Sequence, residues 1–130
     1  MNALNKLFSF FGDAETHYRE AFRLETSSQD FQKALRLYEK AARMGHVEAQ
    51  YYCGFMYLKG RGIKKRDFEK AYELVEMAAK QDYPKAQYLL SQMYYFGEGI
   101  ARNKALGDKW MAKFKEHETT TKILFLHKYY

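Results

Sequence analysis

One stretch of this chain recurs at a fixed offset, and that self-similarity restricts the possible folds more than any other feature. Ala41-Ala42 returns as Ala78-Ala79, and Ala49-Gln50-Tyr51 returns as Ala86-Gln87-Tyr88, 37 residues on. The correspondence continues through Met56-Tyr57 to Met93-Tyr94, Gly60 to Gly97, Gly62 to Gly99 and Ile63 to Ile100. A second marker, two alanines seven residues apart, occurs as Ala34 and Ala41, as Ala71 and Ala78, and as Ala105 and Ala112. It predicts three copies of one unit, with the loop inside the last copy three residues shorter. The first copy is degenerate: Ala14 and Phe22 stand for Ala49 and Tyr57, Arg19 replaces Gly54, and no glycine pair follows. A unit of this length is one supersecondary element, whose hydrophobic face is buried only when neighbouring units stack.

Each unit reads as two amphipathic helices. Ala49, Cys53, Met56 and Tyr57 form one stripe at helical spacing, and Phe68, Ala71, Tyr72, Val75, Ala78 and Ala79 form the next. Ala41, Gly54 and Ala78 are small where neighbouring pairs must cross closely. Gly60 and Gly62 are placed to end the first helix in a left-handed conformation. Asp30 and Asp67 precede apolar positions as helix N-caps do. The pattern predicts helices over residues 13–25, 30–44, 47–59, 67–81, 84–96 and 103–116.

These residues resemble a Sel-one-like repeat, a relative of the tetratricopeptide repeat. The resemblance is carried by Ala49-Gln50-Tyr51, Gly54, Met56-Tyr57, Gly60-Arg61-Gly62-Ile63, Asp67-Phe68-Glu69-Lys70-Ala71 and Met77-Ala78-Ala79, and again by Gly97-Glu98-Gly99-Ile100. It spans residues 13 to 116, with Ser91 in place of the helix glycine and Asp82 in place of the inter-repeat glycine. It implies an all-α, right-handed solenoid of three antiparallel helix pairs, of the kind used mostly as a scaffold for protein complexes. Residues 1–12, with Leu4, Leu7, Phe8 and Phe11, are expected to form an N-terminal cap. Residues 117–130, with Ile123-Leu124-Phe125-Leu126 and Tyr129-Tyr130, are too apolar for a solvated tail. They are expected to cap the other end, and the rival reading is docking of a partner or a second copy into a homodimer.

Composition narrows the function. The 130 residues carry a formal net charge of +6, which leans toward an acidic partner, a nucleic acid or an anionic membrane surface. Nucleic acid is the weaker alternative, because the aromatics that could stack on bases are already explained by repeat packing. No apolar run is long enough to span a bilayer. One cysteine, Cys53, forms no internal disulfide and fits a reducing compartment, read as the cytoplasm. It falls on a core stripe, where the family usually carries leucine, and is expected to be packing.

Chemistry is sparse. His17, His46, His117 and His127 show no metal-ligand spacing, and no cofactor is expected. The glycine pairs recur with the repeat and lack the context of a phosphate loop. No carboxylate pair or nucleophilic set stands out, so an enzyme is not expected.

The resemblance implies that the first helix of each pair lines a concave face. The partner-binding residues it points to are Tyr51, Tyr52, Phe55 and Lys59 from the second copy and Tyr88, Gln92, Tyr95 and Phe96 from the third. Glu48, Leu58, Lys85 and Leu89 share those faces, as do Asp13, Thr16, His17, Glu20 and Arg23 in the first copy. Lys64, Lys65 and Arg66 form a basic loop that either is merely solvated or meets an acidic partner. The expectation is a non-enzymatic module binding another protein as adaptor or regulator. The alternative is a stoichiometric inhibitor, such as an immunity protein that neutralises a bacterial toxin.

Overall fold

The computed structural model describes the backbone of residues 2–129 and the side-chain surroundings of residues 2–122. Six helices follow one another: α1 (Ala3–Arg23), α2 (Phe31–Arg43), α3 (Val47–Lys59), α4 (Phe68–Lys80), α5 (Pro84–Phe96) and α6 (Lys104–Tyr129). A short π-helical turn, Leu24–Ser28, closes α1. Each helix packs chiefly against the helices before and after it, which is the contact pattern of a solenoid.

The starts are set by side chains that take up an orphan N–H of the first turn. Asp30 accepts from the Lys33 N–H at 3.2 Å, Asp67 from the Lys70 N–H at 3.0 Å, and Asn103 from the Leu106 N–H at 3.0 Å. His46 does the same for α3 with its ring Nδ1, while α5 opens on Pro84, whose missing donor costs nothing there. Gly60 and Gly97 end α3 and α5 with φ of +70°, each closing on the carbonyl four residues back, Met56 and Met93.

The second glycine of each pair has a separate task. A Cβ on Gly62 would lie 2.5 Å from the Phe31 carbonyl oxygen, and one on Gly99 would collide with that of Phe68. The loop after α3 is thereby pressed against the start of α2, and the loop after α5 against the start of α4. Gly45, at φ +87°, turns the chain from α2 into α3. Its counterpart Asp82 adopts φ +66° without being glycine. Its carboxylate there accepts from Gln87 Nε2 at 3.2 Å and faces His117 Nε2 at 2.9 Å, so local bonds support the conformation.

The core runs through the stack as a line of small residues and wide side chains. Ala34, Ala41, Ala49, Ala71, Ala78 and Ala86 are fully buried beside Tyr38, Cys53, Met56, Val75, Leu90 and Met93. Buried Gln50 and Gln87 repeat the same contact, each Nε2 facing the carbonyl eight residues earlier, Ala42 or Ala79. Tyr57 donates to Glu39 and Tyr38 to Glu25, tying α3 to α2 and α2 to the turn after α1 through partly buried carboxylates.

Three expectations are corrected, and a fourth rests on side chains outside the described residues. Residues 3–12 are not a separate cap but continue α1, with Leu4, Leu7, Phe8 and Phe11 exposed. Glu15 already sits opposite the α2–α3 turn, so those two helices offer nothing beside residues 3–12. The third copy is set by Asn103, 36 residues after Asp67, so its loop is shorter by one residue and not three. Buried Gly107 thus takes the place of Ala71, and Ala105 and Ala112 are exposed. Phe68, assigned to the core stripe, is 38% exposed, because it lies at the first turn of α4 where the glycine loop meets its backbone and not its ring. Residues 117–129 continue α6 as one helix, while the side chains expected to cap or dock, Ile123 to Tyr130, lie outside the described residues.

Candidate functional site

A groove of about 500 Å³ opens between α3, α5 and α6. Tyr51, Tyr52 and Phe55 come from α3, Lys85 and Tyr88 from α5, Phe114 from α6, and Glu25 from the turn after α1. Their register explains the grouping. Tyr51 and Tyr88 are repeat equivalents pointing from successive first helices, Phe55 and Lys85 lie one turn from them on the same faces, and Tyr52 lies one turn before Phe55.

Tyr52 is the central wedge. Its ring stacks on Tyr38 at 5.8 Å and also meets Tyr18 at 6.1 Å and Phe22 at 6.0 Å, so the first two repeats interlock through it. Its hydroxyl accepts from Lys85 Nζ at 3.1 Å. Tyr51 packs edge-on against Tyr52 at 5.0 Å and Tyr83 at 5.5 Å. Tyr88, 45% exposed, leans on Phe114 at 5.2 Å and forms the outer wall.

Three cations edge this aromatic floor. Lys59 Nζ lies 5.6 Å from the centre of the Phe55 ring, and the Arg61 guanidinium lies 5.7 Å from the same ring. Arg61 also pairs with Glu25 at 3.3 Å, and Tyr38 donates to the other oxygen of that carboxylate at 2.7 Å. Among the described residues, Lys59 and Lys85 meet no carboxylate. The groove is therefore apolar at its base and positive at its margin.

Burial, and then the neighbouring Tyr52, raises the Tyr51 hydroxyl above its ordinary range, and burial pushes Tyr18 up to about 12. Both stay neutral. Burial and the nearby Glu39 push the Cys53 thiol up to about 12, leaving it a poor nucleophile in a closed site. Among the described residues no group of three or more His, Cys, Asp or Glu side chains is arranged to hold a metal ion.

The predicted residues divide. Tyr51, Tyr52, Phe55 and Tyr88 converge on the groove, with Lys59 against it. Leu58 is buried in the core. Gln92 is half-buried outside the groove lining. Tyr95 donates to Asp108 at 2.6 Å, and with Phe96, Arg102 and Lys104 it borders a separate hollow at the far end. Lys64, Lys65 and Arg66 are exposed on the α3–α4 loop, outside the groove lining. Two lining residues were missed, Glu25 and Phe114. With the third copy in its true register, Phe114 stands where the second copy has Ala78, and an aromatic replacing a packing alanine was the available signal.

Comparison with known proteins agrees with this architecture. The Sel1 repeat model matches residues 17–46, 47–83 and 84–116. The chain belongs to the Sel1 repeat family. Among solved structures it is similar to c5321, a protective antigen of uropathogenic Escherichia coli strains displaying an SLR fold. The two are 28% identical with a TM-score of 0.79, over 82% of this chain and 23% of that one. It is also similar to a Sel1 repeat protein of Oxalobacter formigenes, 29% identical with a TM-score of 0.75, over 89% of this chain and 36% of that one. This Sel1 repeat chain thus spans well under half the length of either. Cysteine rich protein B of Helicobacter pylori shares the fold at 20% identity and a TM-score of 0.69, over 88% of this chain and 90% of that one. Sequence comparison with curated proteins gives no significant match.

Proposed function

We propose that this Sel1 repeat chain binds a segment of another protein in the groove between α3, α5 and α6, and that the segment carries an apolar side chain flanked by acidic residues. The observation that carries the reading is the pairing of an open aromatic floor, Tyr51, Tyr52, Phe55, Tyr88 and Phe114, with Lys59 and Lys85, which meet no carboxylate among the described residues. Aromatic side chains bury large area with few rotors to freeze, which suits them as interface anchors. The ammonium groups add orientation and encounter rate for a negative segment. A basic segment is disfavoured, since the faces of Phe55 and Tyr52 that would attract a cation already have Lys59, Arg61 and Lys85 near them. Sel1 repeats as a family serve typically in protein–protein interaction, which supports a protein as the guest.

The reading is tested by selecting binders from a random displayed-peptide library on the immobilised chain. The expected consensus is an aromatic or branched apolar residue with Asp or Glu within three positions, and Lys85→Ala weakens binding about tenfold. A basic consensus, or peptides indifferent to Lys85, contradicts it.

A further inference from the structure

Two parts of the chain leave the solenoid across the same edge. Glu15 on α1 meets His46 at the α2–α3 turn at 2.6 Å, and His117 on α6 meets Asp82 at the α4–α5 turn at 2.9 Å. Both turns join one repeat to the next, so they lie along one edge of the stack. Before Ala14 and after His117 the two helices run past that edge as arms, residues 3–13 and 118–129. The arms are about 17 and 18 Å long at the α-helical rise. They stand at opposite ends of the stack and run in opposite chain directions.

The α1 arm carries a packing face without a packing helix. Leu4, Leu7, Phe8 and Phe11 recur at helical spacing and are 50–65% exposed, with Asn5, Ser9 and Gly12 on the other side. The stripe continues the line of buried Ala14 and of Tyr18 and Ala21, which α1 lays on the core. A second helix alongside would extend the packing already present. The α6 arm is apolar in sequence, with Ile123, Leu124, Phe125 and Leu126.

We propose that two copies of this chain associate through these arms, the α1 arm of each lying along the α6 arm of the other. A two-fold axis perpendicular to the arms places each α1 arm beside an α6 arm running parallel to it. Both arms of both copies are covered in one closed arrangement, with no repeating contact left to grow a filament. The area suffices. Half-exposed Leu and Phe side chains offer roughly 100 Å² each. The four on the stripe give about 400 Å², or about 1,600 Å² when both faces of both pairs are counted, within the range of stable dimers. A bilayer fits less well, because Lys6 is the single basic side chain among residues 2–12 and the arm lacks the polybasic face of a surface-bound helix. The inference is independent of the groove.

Sedimentation equilibrium of the full chain at tens of micromolar tests it. The expected mass is twice 15.5 kDa. Leu7→Glu with Phe11→Glu returns the monomer mass with unchanged helix content and unchanged binding of groove peptides. A second measurement uses thiol labelling, for which Cys53 is buried and silent. Phe8→Cys becomes at least tenfold slower to label than Ser9→Cys as concentration rises, and the two converge on dilution. A monomer at all concentrations, a dimer indifferent to the glutamates, or flotation of the monomer with phosphatidylcholine–phosphatidylglycerol vesicles overturns the proposal, the last in favour of a bilayer.

Discussion

Gly62 answers two demands at once, a φ of +78° and a backbone that passes against the Phe31 carbonyl. Gly45 answers only the first, since its missing Cβ would meet open space at φ +87°. The two positions separate conformational strain from steric exclusion. Gly45→Ala should cost about 1 kcal/mol, the ordinary penalty for a side chain at positive φ. Gly62→Ala should cost about 3 kcal/mol, because the helix start must also move. Urea unfolding followed by circular dichroism measures both, and equal losses would contradict the close approach. The recurrence of Gly62 as Gly99 made both legible as turn residues. Their contact with the preceding helix was not legible, because it depends on where one repeat lies against another.

His46 works at the scale of an element. Its Nδ1 accepts from the Ala49 N–H at 3.2 Å to cap α3, its Nε2 faces Glu15 at 2.6 Å, and its ring stacks on Tyr18 at 4.5 Å. One side chain therefore starts α3 and holds α1 against it. His46→Ala should cost about 1–2 kcal/mol from the lost cap and contact, whereas His46→Asn keeps the cap and should cost less. Hydrogen bonds, first from His46 and then from Arg19, lower the Glu15 carboxyl below its ordinary value. A carboxyl depressed on folding contributes stability above its unfolded pKa and loses it as pH falls through the folded one. The urea midpoints of the wild type and Glu15→Gln should therefore differ at neutral pH and converge below about pH 4. A gap independent of pH would remove the carboxylate from the account. The bounds of α2 to α5 were legible almost to the residue because caps and glycines punctuate the sequence, whereas the start of α1 and the end of α6 were each missed by ten residues or more. The rotation of α6 was not legible either. Ala105 and Ala112 imitated the spacing of Ala71 and Ala78, and only the Asn103 cap shows that Gly107 and Phe114 carry the inward register.

At the scale of the whole molecule, stacking turns residues distant in sequence into one surface. Glu25, Tyr52, Tyr88 and Phe114 span most of the chain and meet because repeats two and three superimpose their first helices. Most of that surface was legible, since Tyr51, Tyr52, Phe55, Lys85 and Tyr88 fall on first-helix positions the core stripe does not use. Glu25 was not, because it enters from a π-helical turn with no repeat equivalent. Tyr95 was assigned to the same face but is held by Asp108 and packed over Gly107. Lys64, Lys65 and Arg66 lie on the loop and not among the groove lining, so replacing all three with Ala should slow association of an acidic peptide and flatten its salt dependence, with little change in dissociation rate. Unchanged kinetics would leave that loop a solvated surface.

The most direct measurement is the affinity of a library-selected peptide for the chain and for its Phe55→Ala, Tyr88→Ala double variant, by titration calorimetry at matched helix content. The account predicts a loss of at least a hundredfold, since two anchor side chains are truncated at the base and wall of one groove. Equal affinity with both proteins folded would place the guest elsewhere and contradict the claim that the face between α3, α5 and α6 is the binding surface.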